Sequence, residues 1–135
     1  MYDGPLEDRI AIRERIEAYS DAVFRHDADD WIANWSEGAV WSLPGFEVSG
    51  RDQIKAAWIQ AMSGFRLAAF FASPGAIVVR GDRAEVRVYT QEILSLADGG
   101  LRRIVGAYDD ELAKVDGAWL FRKRIYRILH DETGA

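Results

Sequence analysis

With 135 residues, 49% of them hydrophobic and five tryptophans, the chain has the material for one packed domain, residues 1–135, and does not have the composition of a disordered protein. The absence of cysteine excludes disulfides, thiol catalysis and Cys-ligated zinc, and two histidines, His26 and His130, argue against a multi-histidine metal site. A net charge of −5 argues against nucleic acid as a partner, no apolar run approaches the roughly 20 residues of a membrane span, and Met1–Pro5 carries no signal pattern, so a cytoplasmic protein is expected.

Ile12, Ile16, Tyr19 and Val23 fall on one stripe at helical spacing, with Arg13, Glu14, Glu17 and Asp21 on the other sides. The apolar signal lapses at His26–Asp30. A second short helical pattern follows, carrying Trp31 and Trp35 four apart. Val40–Leu43 reads as a strand stopped by Pro44-Gly45, with Phe46–Val48 as its hairpin partner. Arg51–Met62 predicts a third helix with Ile54, Trp58 and Met62 on one face and Asp52 as its N-cap. The remainder reads as sheet: Ala76–Arg80, then Ala84–Leu94, then Leu101–Val115, then Trp119 to about His130. Asp116-Gly117 is a strong hairpin signal, because both positions must tolerate positive φ. Helices first and long strands afterwards predict an α+β fold with the helices on one face of the sheet. A pocket between the two layers follows if the sheet is curved.

The run Tyr19…His26-Asp27-Ala28…Trp31…Trp35…Ala39–Gly45…Gly50-Arg51-Asp52…Ile54 resembles the SnoaL-like domains of the nuclear transport factor 2-like superfamily. Gly81–Ala84, Tyr108-x-Asp110 and Asp116-Gly117-x-Trp119-x-Phe121-x-x-Arg124 fit the same pattern, so the resemblance spans about Leu6 to Asp131. It implies a conical barrel: three N-terminal helices packed on a strongly curved antiparallel sheet, with a cavity at one end and homodimers through the sheet in many members. Members include polyketide cyclases, scytalone dehydratase, ketosteroid isomerase and a hexachlorocyclohexane dehydrochlorinase. Most of the enzymes do cofactor-free acid–base work on apolar rings, and other members only bind a ligand or partner.

Asp27 is the first catalytic candidate. It lies about 60° from Ile12 on a helical projection, close to the apolar stripe, and a carboxylate in an apolar cavity becomes a better base. The resemblance matches it to the catalytic aspartate of the dehydrochlorinase. The alternative is an N-cap on the Trp31 helix. Arg124 is the second candidate, as a stabiliser of developing negative charge. Strict alternation turns it away from Trp119 and Phe121 unless a bulge intervenes, and an ion pair with Asp110 is the structural alternative. Tyr19 is the third, as a phenol on the apolar stripe. Trp31, Trp41, Trp58, Phe70 and Tyr108 are candidates for the pocket wall, and Thr90, Gln91 or Glu92 can reach it from the central strand. The resemblance also places a catalytic His in the strand after the third helix, but Phe65–Pro74 contains none, and the nearest matching position is Phe70.

These residues suggest a cofactor-free lyase, isomerase or cyclase acting on a small apolar ring-type substrate. The alternatives are a non-catalytic ligand-binding or interaction domain of the same fold, and a small partner subunit of a ring-hydroxylating dioxygenase. A homodimer through the outer face of the sheet is expected.

Overall fold

The stripe of Ile12, Ile16, Tyr19 and Val23 winds into a 20-residue helix, α1 (Leu6–Arg25), and all four side chains are buried. The structure, a computed structural model, describes residues 1–134. A two-residue strand, β1 (Tyr2–Asp3), precedes α1. After it come α2 (Ala28–Ile32), β2 (Trp35–Leu43), β3 (Phe46–Ser49) and α3 (Arg51–Met62). Four long strands complete the fold: β4 (Phe65–Arg80), β5 (Arg83–Leu96), β6 (Leu101–Val115) and β7 (Ala118–Gly134).

The seven strands form one sheet in the order β1-β4-β5-β6-β7-β2-β3. It is mixed rather than wholly antiparallel, because β1 pairs with β4 and β2 with β7 in parallel. Parallel neighbours need a long crossover, and the whole stretch from β3 to β6 supplies it between β2 and β7. The helices cover one face. Ile12, Ile16, Ile54 and Trp58 from the helices meet Ile77, Val88, Leu112 and Phe121 from the sheet in a single apolar core.

Three local differences from the sequence reading have simple causes. Trp35 opens β2 instead of extending α2, which ends after five residues. The residues from Phe65 to Ala76 join Ala76–Arg80 in one strand, with a register shift at Gly75, where a Cβ would strike the Tyr89 ring. Gly50, at φ +86, leads into α3, and Asp52 sits in the first turn without capping. The Asp116-Gly117 turn forms as expected, with φ of 49° and 83°.

β6 and β7 shift register between Glu111 and Leu112, because Leu112 pairs with Phe121 while Glu111 pairs with Lys123. Arg122 is the extra residue. The bulge reverses the alternation beyond it, so Phe121 and Arg124 both point into the core.

Candidate active site

Between the helices and the sheet lies a cavity of about 230 Å³. Val23, Trp58, Met62, Phe65 and Phe70 give it an apolar wall, and Tyr19, Trp41, Tyr108, Tyr126 and Glu92 give it a polar one. Pro44, Ala61, Arg102 and Ile128, which are exposed or half-buried, belong to its open side.

Of the expected wall residues, Trp41, Trp58, Phe70 and Tyr108 line this space. Trp31 does not. It is fully buried one layer behind, stacked on Trp58 with ring centres 4.7 Å apart, and edge-on to Trp41. Tyr19 lines the cavity as expected. Burial raises its hydroxyl pKa, against the pull of the nearby Arg124 charge. The Tyr108 hydroxyl accepts a hydrogen bond from Trp41 Nε1 at 3.2 Å, which leaves its own proton free to donate. Burial pushes the Tyr108 pKa well above the usual range, so this phenol is a neutral donor near pH 7.

Asp27 does not look into the cavity. α1 ends at Arg25, and His26 takes a left-handed conformation (φ 57°) that turns the chain out of the helical projection. The Asp27 carboxylate caps α2 by accepting from the Asp30 N–H at 3.0 Å, and Arg25 reaches it at 3.3 Å. The Asp30 N–H and the Arg25 charge hold its pKa below the ordinary value, whereas a base working near neutrality needs the reverse. The capping alternative therefore describes its position.

Arg124 is 1% exposed and points inward, but it is not part of the cavity wall. Its Nε and Nη2 donate to the two Asp110 oxygens at 2.8 and 3.0 Å, a bidentate pair across adjacent strands. The guanidinium carbon lies 3.8 Å from the Tyr108 ring centre, 4.1 Å from Phe121 and 4.5 Å from Tyr19. Burial pushes the Asp110 carboxyl up to about 6, while the Arg124 charge and its hydrogen bonds pull it down. Arg124 thus places a buried cation beneath two of the cavity tyrosines, Tyr19 and Tyr108.

Of Thr90, Gln91 and Glu92, only Glu92 reaches the cavity. Gln91 faces outward, and Thr90 is buried outside the cavity wall with its hydroxyl unpartnered. Glu92 lines the cavity and accepts a 2.6 Å hydrogen bond from the Tyr126 hydroxyl. Burial raises its pKa, with Tyr126, Arg102 and Arg124 opposing. The signal lay in β5 itself. Val86, Val88, Thr90, Glu92 and Leu94 share one parity, so a carboxylate interrupts an inward-facing row. Among the described residues no group of three or more His, Cys, Asp or Glu side chains is arranged to hold a metal ion. No helix among them is long and apolar enough to cross a membrane.

Comparison with known proteins places this geometry in context. The SnoaL-like domain matches residues 4–125. A candidate scytalone dehydratase from Novosphingobium aromaticivorans has a TM-score of 0.87 at 26% identity, over 94% of this chain and 87% of its own. A candidate aromatic ring hydroxylase from the same organism gives 0.90 at 23% identity, over 97% and 96%. The type 3 hexachlorocyclohexane dehydrochlorinase of Novosphingobium barchaimii gives 0.82 at 17% identity, over 96% and 92%. The last two share the fold with this chain. No curated protein matches it.

Proposed function

The chain belongs to the SnoaL-like domain family, and on that premise we propose that it is a cofactor-free acid–base enzyme, a lyase, isomerase or cyclase, acting on a small apolar ring-type substrate. The observation that carries the reading is the division of the cavity into an aromatic wall and a wall of hydroxyl donors above a buried cation. A flat ring packs on Trp58 and Phe70. An oxygen on that ring receives hydrogen bonds from Tyr19 and Tyr108. Such donors favour a transition state in which negative charge grows on the oxygen.

The volume narrows the substrate. An apolar cavity of about 150 Å³ admits benzene, so about 230 Å³ suits one or two rings and is small for a four-ring skeleton. Titration of tryptophan fluorescence with 1-tetralone, a two-ring ketone, tests this, because Trp41 and Trp58 line the cavity. Saturable quenching by 1-tetralone and none by a four-ring steroid ketone is the expected result. Equal quenching by both, or by neither, contradicts it.

A non-catalytic ligand-binding role is the second reading. It is favoured by the placement of Asp27 outside the cavity and by the absence of histidine from its lining among the described residues. Binding of ring compounds without any proton exchange or conversion would select it. Self-association through the outer sheet face belongs to the same proposal, supported by exposed Phe71, Tyr89, Val105 and Leu129.

A further inference from the structure

We propose that Glu92 is the proton-transferring group of the cavity, and that Tyr126, seated across Gly106, is the residue that positions it. This rests on the acid–base reading above and names the base that Asp27 does not supply.

Glu92 is a carboxylate in the cavity wall, on the same inward row of β5 as Val88 and Leu94. Tyr126 belongs to β7, two strands away, where it pairs with Tyr108 of β6. To reach Glu92 its ring must pass over β6, and the inward-facing residue there is Gly106, opposite Thr90. A Cβ at Gly106 would overlap the Tyr126 hydroxyl and ring edge. Gly106 has no positive φ and occupies no turn, so its lack of a side chain serves this close approach. The result is the 2.6 Å hydrogen bond from Tyr126 to Glu92 Oε2, beside a Tyr108 ring whose centre is 4.7 Å from that of Tyr126. Carboxylate and phenol donors therefore share one side of the cavity.

The step is a proton transfer. The Glu92 carboxylate takes a proton from the carbon next to the ring carbonyl. The C–H electron pair forms a C=C bond, and the carbonyl π pair moves onto oxygen, where Tyr19 and Tyr108 hold it. Return of the proton to the same carbon is exchange, and return to a conjugated carbon is isomerisation. The Tyr126 hydrogen bond favours the ionised carboxylate and so sets the pH at which Glu92 acts.

The experiment joins a carboxyl ¹³C NMR titration of Glu92 with deuterium incorporation into 1-tetralone in D₂O. Tyr126→Phe and Gly106→Ala are each expected to move the Glu92 titration, and the acid limb of the exchange rate, to higher pH. The double variant should add nothing to either single one. Glu92→Gln should lower exchange by about 10²-fold or more while fluorescence still reports ketone binding. An unmoved titration in Gly106→Ala overturns the positioning role. Exchange at the wild-type rate in Glu92→Gln overturns the role of Glu92 and leaves the acid–base reading intact. No exchange by the wild-type protein with ketone bound overturns that reading itself, and Glu92 as its base with it.

Discussion

Asp110→Ala is expected to destabilise the protein by about 3–5 kcal/mol, because it leaves a buried guanidinium without its counter-charge. Arg124 is 1% exposed, and both oxygens of Asp110 are committed to it. The three aromatic rings around the guanidinium attract the cation, but they offer no acceptor for the N–H groups that Asp110 now satisfies. For a domain with a total stability of about 5–15 kcal/mol the loss is severe. Urea unfolding at constant slope measures it. Replacing both partners, Asp110→Leu with Arg124→Met, removes the stranded charge and should recover most of the loss. A single-variant cost below about 1 kcal/mol contradicts the account, since a solvent-screened pair behaves that way.

Tyr108→Phe carries the second large expected effect. Removing one donor to a developing oxyanion slows turnover by about 10²–10³-fold. The change should fall mainly on kcat, because the Trp58 and Phe70 contacts that hold the ring remain and the lost hydrogen bond is stronger to the developing oxyanion than to the ground-state oxygen. The same substitution unpairs Trp41 Nε1 at a cost of about 1–3 kcal/mol, so the rate is compared at a temperature where both proteins are folded. A proportional rise in KM with kcat unchanged would assign Tyr108 to binding alone.

Helix α1, helix α3 and the Asp116-Gly117 hairpin were legible in the sequence because each rests on a local pattern: a stripe, a stripe, and two residues that tolerate positive φ. What escaped depended on single residues that shift a register or end a helix. The left-handed turn at His26 rotates Asp27 out of the stripe that spacing assigned to it, and the cap on α2 then holds it. The extra residue Arg122 brings Arg124 inward, where uninterrupted alternation turned it out. The two-residue β1 has too little sequence to show a period. Glu92 and Gly106 were readable in principle. A carboxylate and a glycine both stand on inward rows, and each breaks the apolar pattern without a turn to account for it.

The central claim is that this cavity moves protons on a small ring, and proton NMR of 1-tetralone in D₂O with catalytic amounts of protein tests it most directly. Loss of the signal from the carbon next to the carbonyl, faster than in buffer, is expected in the wild-type protein and equally in Asp27→Asn. A signal that persists at the buffer rate, or exchange that disappears in Asp27→Asn while the protein stays folded, would contradict it.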